Sequence, residues 1–167
     1  MHVKQILLAA VVATVVKSEV HNIDVGEDGL KFEPQVIKPV RGDAVVFHFY
    51  PKHNVVSTTF DKPCEYTSGS FFSGPFDKTD NGKLRFVVNV TNEDPVWYYC
   101  AVPKHCQQGM VGAWNPPANS TIEAFADAAK KVSDSTFPSS ESGGLLLDEE
   151  QVASLTQSGA SPTESGR

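Results

Sequence analysis

Cys100-Ala-Val-Pro-Lys-His105-Cys106-Gln-Gln-Gly-Met110 is the stretch on which the reading of this chain turns. One short loop, set between β-like runs at 96–101 and 110–114, offers a thiolate, an imidazole and a thioether. These are the soft and borderline donors that favour copper, and one Cys with two His and a weak axial Met makes an electron-transfer copper site. Zinc also takes Cys and His, but thioether is a poor ligand for it. The second imidazole has to come from elsewhere. His53 follows the run 44–50 after a brief turn, where a sandwich can bring it beside the Cys100 loop. Met110 is the only methionine besides Met1, which favours a specific use over casual packing. His2, His21 and His48 occupy no motif position and read as structural, with His48 opposite the apolar face of its run and therefore exposed.

The cysteine count is odd, so one thiol is spare or has work to do. If Cys100 binds metal, Cys64 and Cys106 remain and can pair across about 40 residues in an oxidising compartment. Pairing Cys100 with Cys106 would instead leave Cys64 free and remove the site, and at this point both pairings stay open.

Outward from the loop, residues 21–115 are short runs rich in β-branched and aromatic residues, separated by turn residues. The runs are 21–25, 36–40, 44–50, 54–59, 84–90, 96–101 and 110–114. In Val45-Val46-Phe47-His48-Phe49 the odd positions are apolar, and in Leu84-Arg85-Phe86-Val87-Val88-Asn89-Val90 the even ones are, as for strands with one buried face. Gly42-Asp43 reads as a hairpin-type turn between 36–40 and 44–50. Seven or eight strands predict an all-β sandwich or Greek-key barrel. Trp97, Tyr98, Tyr99 and Trp114 read as packing rather than electron relays. Residues 62–82 form a long excursion that carries Cys64 and contains Pro63, Gly69, Gly74, Pro75 and Gly82.

After Pro116-Pro117, Ser120-Thr121-Ile122-Glu123 fits a capping box, and Ile122, Phe125, Ala126, Ala129 and Val132 follow at helical spacing. A short amphipathic helix is expected within 119–132. From Ser133 onward 12 of 35 residues are Ser or Thr, a composition that buries too little surface to order itself, so 133–167 is expected to be a disordered, acidic tail.

At 167 residues and 40% hydrophobic the chain has material for one domain of ordinary size, here 19–118. Residues 1–18 have a lysine-bearing start and an uncharged run from Ile6 to Val16, the form of a signal peptide; the run is too short for the ~20 residues that cross a bilayer. Export is expected, to an extracellular location, with association to a cell wall or matrix as a further expectation. The sequons at Asn89 and Asn119 fit that route. Leu145-Leu146-Leu147 is too short for the tail of a lipid-anchor signal, so no anchor is expected. Of the net charge of −6, the part after residue 132 carries most; with no basic cluster beyond Lys130-Lys131, nucleic acid is a poor partner.

The form Cys-x4-His-Cys-x3-Gly-Met over 100–110 resembles the copper loop of the plant phytocyanins, within the cupredoxin superfamily. The runs His21-Asn-Ile-Asp-Val-Gly26, Gly42-Asp43-Ala-Val-Val-Phe47, His53-Asn-Val-Val, Phe60-Asp-Lys-Pro-Cys64, Phe71-Phe-Ser-Gly74 and Gly109-Met-Val-Gly112 resemble secreted serine-rich cupredoxin-like proteins of fungi. The resemblance covers about residues 20–130. It implies a cupredoxin-like Greek-key β-sandwich, copper ligands His53, Cys100, His105 and Met110, a disulfide between Cys64 and Cys106, and an Asn54 side chain tying the two ligand loops together. The expected function is a secreted mononuclear type 1 copper protein, monomeric and not an enzyme, that passes single electrons to a protein or small-molecule partner. The alternative is an extracellular surface or matrix protein that works through its glycosylated tail. A coupled copper oxidase would need H-x-H pairs, which the five histidines do not form.

Overall fold

The computed structural model describes residues 18–158. The expected leader, but for its last residue, and the end of the tail from residue 159 lie outside these. The described chain holds nine strands, β1 (Val20–Val25), β2 (Phe32–Glu33), β3 (Val36–Ile37), β4 (Ala44–Phe49), β5 (Val56–Thr58), β6 (Arg85–Asn89), β7 (Val96–Tyr99), β8 (Val111–Trp114) and β9 (Leu145–Leu147). Two α-helices, α1 (Ile122–Ala129) and α2 (Glu149–Ser158), complete it. The strands form a five-stranded sheet, β2-β1-β4-β6-β9, and a four-stranded one, β3-β8-β7-β5. The fold is an all-β sandwich.

Alternation builds the core between the sheets. Ile23, Val25, Val45, Phe47, Phe86 and Val88 point inward from one sheet and Tyr98 and Trp114 from the other, all buried. Tyr98 stands edge-on to Phe32 and Phe47 at 5.1 and 5.5 Å between ring centres, the preferred geometry for aromatic pairs. The alternate residues are not solvent-facing as a one-faced strand would have them. Trp97, Tyr99, Val111 and Ala113 bury against Phe125 and Ala129 of α1, while Ala44, Val46 and Val87 bury against Val152 of α2. Each sheet is thus covered outside by one helix, and the four aromatic residues around the loop are all packing residues.

The helix expected within 119–132 is α1, its N-cap Thr121 rather than Ser120: the Thr121 hydroxyl accepts from Ala124 N–H at 3.2 Å. The disorder expected of 133–167 is corrected as far as residue 158. This segment straps the open side of the sandwich: Ser142 pairs with Phe72 beyond the edge of one sheet, and three residues later β9 pairs with β6 at the edge of the other. Gly143, at φ +69°, and Gly144 make the crossing, where a Cβ would press on Phe71 and Phe86 respectively. Composition missed this because the strap borrows existing strand edges and needs few apolar residues of its own.

Two local expectations also change. Gly42-Asp43 does turn the chain, with Asp43 N–H donating to Val40 O at 3.1 Å, but β3 and β4 lie in different sheets, so no hairpin forms. Asp43 is instead a buried peg: its carboxylate accepts from the N–H groups of Glu19 and Val40 and pairs with His21 Nε2, each at 2.9 Å. Burial pushes its pKa up, and these bonds more than offset that, holding it below the usual carboxylate range. His48 is half-buried rather than exposed, with Nε2 2.9 Å from Asn22 Oδ1.

Candidate metal centre

β7 delivers Cys100 into the core and β8 begins just after Met110, so the loop between them starts and ends on paired strands. The loop closes on itself: Cys100 N–H donates to Met110 O at 3.1 Å, and Met110 N–H to His105 O at 3.0 Å. A short 3-10 turn, Cys106–Gln108, follows His105 and stops at Gly109, whose φ of 94° suits glycine. Lys104, just before His105, also has a left-handed φ of 70°, which is uncommon for a side chain of its kind. His53 arrives from the segment between β4 and β5.

The structure brings three of the expected ligands together. His53 Nδ1 lies 3.7 Å from Cys100 Sγ, His105 Nδ1 lies 3.5 Å from it, and the two nitrogens are 3.2 Å apart. Cys100 and Met110 are fully buried and His53 nearly so, while His105 is half-buried. Met110 belongs to the core cluster that contains Cys100. Asn54 Oδ1 accepts from Ala101 N–H at 2.7 Å, a bond between the His53 segment and the Cys100 loop. Cys64 and Cys106 form a disulfide across 42 residues and Cys100 is free, so the rival pairing is excluded.

Burial shapes the electrostatics. It pushes the Cys100 thiol up to about 11, against which the backbone N–H groups of Asn54 and Val102 pull downward. It lowers His53 to about 4, helped by the neighbouring His105, and lowers His105 as well. Two neutral imidazoles therefore face one another and a sulfur at near-contact distance.

Donor type and spacing both fit a metal ion. A point equidistant from the three atoms lies about 2.0 Å from each, against ~2.0–2.1 Å for metal–imidazole and ~2.3 Å for metal–thiolate bonds, taking zinc as the measure. Among the described residues these three are the one group of His, Cys, Asp or Glu arranged to hold an ion. The sequence reading missed Gly26. A Cβ there would overlap the His53 ring, and φ is +87°, so glycine is what allows β1 to pass behind this imidazole. Its mark in the sequence was a lone glycine closing the strand run 21–25.

No family model matches the chain. A "Probable GPI-anchored cupredoxin-1" of Arthroderma benhamiae is 37% identical over 142 residues, covering 83% of this chain and 74% of that protein. The chain belongs to the cupredoxin family. An "Extracellular serine-rich protein" of the same fungus is 40% identical over 147 residues, 86% of this cupredoxin; the chain spans 57% of that relative's length. Among solved structures, the pseudoazurin of Hyphomicrobium denitrificans aligns over 68% of this chain and 98% of its own, at 21% identity and TM-score 0.45. Spinach plantacyanin aligns over 59% and 99% respectively, at 24% identity and TM-score 0.39. The family rests on the sequence relative.

The two sequons sit differently in this cupredoxin. Asn119 is exposed in the turn before α1, whereas Asn89 is half-buried on β6 with its Oδ1 buried. No helix among the described residues is long and apolar enough to cross a membrane.

Proposed function

We propose that this cupredoxin is a secreted, monomeric mononuclear copper protein that carries single electrons, with His53, Cys100, His105 and Met110 as ligands. The observation that carries the reading is the unbridged Cys100 sulfur, 3.5 and 3.7 Å from imidazole nitrogens of two separate segments. Copper, when bound, supplies a one-electron couple at a thiolate, imidazole and thioether site. The protein's share is to hold those donors still, since transfer slows when ligands must rearrange with each change of charge. Asn54 fixes the two segments to each other, the 64–106 disulfide fixes the residue after His105, and Gly26 seats the His53 ring. The half-buried His105 gives the centre its way to solvent and to an electron partner, whether a protein or a small molecule.

No substrate is activated in this scheme and no general base is needed, so the protein is read as a carrier rather than an enzyme. The names of the fungal relatives support an extracellular setting, free or at the cell surface. A matrix protein acting through a free glycosylated tail is the weaker reading, because residues 133–158 are built into the sandwich.

The reading is tested at its weakest ligand. Met110→Gln should keep copper and lower the reduction potential in voltammetry, since a harder donor in place of the thioether would favour Cu(II). An unchanged potential would remove Met110 from the ligand set.

A further inference from the structure

The strap touches the candidate copper loop before it reaches the sheet edges. Lys104 Nζ donates to Ser133 O at 2.7 Å and to Asp134 Oδ1 at 2.9 Å. Gln107 Nε2 donates to Ser135 Oγ at 3.3 Å. Thr136 N–H donates to Cys64 O at 2.9 Å, Thr136 Oγ1 accepts from Tyr66 N–H at 3.1 Å, and Thr136 O accepts from the buried Tyr99 hydroxyl at 2.6 Å. Four consecutive residues therefore hold the loop on both sides of His105, the backbone at one end of the disulfide, and the residue that precedes Cys100.

We infer that Ser133–Thr136 is a positioning element for the candidate copper loop, acting on His105 through Lys104 and on Cys100 through Tyr99; the inference deepens the copper reading and rests on it. Lys104 shows why such an element is needed. A left-handed lysine persists only where its surroundings over-determine it. Gln108 holds the Lys104 carbonyl from inside the loop, and on the outer side the strap takes the ammonium in two bonds, one to Ser133 O and one an exposed ion pair with Asp134. The strap is itself anchored: α1 runs into it, and Phe137 packs on Phe72 with ring centres 5.6 Å apart. Groups bonded directly to metal ligands typically change metal affinity about 10–100-fold when removed, and the strap acts one residue further out, on Lys104 and Tyr99.

The test is a double variant, Lys104→Gly with Tyr99→Phe. Glycine keeps the left-handed turn accessible while removing the clamp, and phenylalanine keeps the packing while removing the bond to Thr136. In metal-free protein, hydrogen exchange at the amides of His105 and Met110 should rise about tenfold or more, while Val46 and Val87 in the five-stranded sheet keep their protection. In copper-loaded protein, loss of copper to a chelator should accelerate by about tenfold or more. Lys130→Met, which removes a surface lysine paired to Asp127 and not to the strap, should change neither quantity. Unchanged exchange at His105 and Met110 in the double variant overturns the inference. If the double variant does not fold, Lys104→Met with Tyr99→Phe removes the same bonds and carries the same test with the same two outcomes. If the parent protein takes up no copper, the copper reading falls, and the metal-free exchange still decides whether the strap holds the loop.

Discussion

The loop 100–110 and the strap 133–148 are both mostly irregular chain, with one 3-10 turn in the first and the short β9 in the second, yet they are ordered in different ways. The loop has a frame of its own, with the strap added on its outer side: its hydrogen bonds run from Met110 to His105, from Gly109 to Cys106 and from Cys100 to Met110, three of its side chains, Cys100, Cys106 and Met110, are fully buried, and only Lys104 and Gln107 reach out to the strap. The strap is held from without. Its bonds run to Cys64, Tyr66, Phe72 and Tyr99, then as β9 to β6, and its own leucines are only half-buried. A segment of the first kind keeps its shape while its neighbours stand, whereas one of the second kind opens first and locally.

Breaking the disulfide tests the loop at its strongest point. Cys64→Ser should cost about 2–5 kcal/mol of global stability, read as a fall in the thermal midpoint of the whole domain, with Cys100 still free to bind copper. A melt unchanged within a degree or two would show that the covalent tie adds nothing to what packing supplies.

A cut in the hydrophobic cover sharpens the other side of the comparison. Val152→Ala removes a buried contact with Ala44, Val46 and Val87 and should cost about 1–2 kcal/mol. The loss should appear as faster hydrogen exchange along β9 and α2, with exchange at β7 and β8 unaffected. If β7 and β8 open equally, strap and loop are one cooperative unit and the contrast fails.

The smallest effect is one of pH. Burial and the Arg85 guanidinium lower the His48 pKa, with Asp24 and Glu149 pulling it upward. The unfolded chain therefore binds a proton in a range where the folded chain does not, so this contribution is complete at neutral pH and is lost as pH falls below ~6.5 toward the folded value. His48→Gln should flatten stability against pH in that range. A slope identical to the parent's would remove His48 as its source.

How legible each region was follows from the same contrast. Cys100, His105 and Met110 could be read because soft donors at fixed spacing have few other uses, and Gly109 marks the turn that spacing requires. The Cys64–Cys106 bridge followed from the residues only on condition that Cys100 binds metal, and was otherwise implied by family resemblance, as was the part expected of Asn54, because no local pattern encodes a partner about 40 residues away. Leu145-Leu146-Leu147 stands out in the sequence but was weighed only as an anchor tail and not as a strand, because its partner strand, β6, is far off in sequence. The sign of the strap lay in the sheet instead: Ala44, Val46 and Val87 are apolar where a one-faced strand would be polar, and only a covering element accounts for them. Gly42-Asp43 misled for a related reason, since a tight turn fixes the chain's direction but not whether the next strand joins the same sheet.

The central claim is that the free sulfur of Cys100 and the two imidazoles make one copper centre. Its most direct test is the visible spectrum of the protein loaded with one equivalent of Cu(II), beside that of Cys100→Ser. The parent should be intensely coloured by thiolate-to-copper charge transfer, and the serine variant should be folded and colourless. A parent that binds one copper without colour, or a serine variant that keeps it, would contradict the claim.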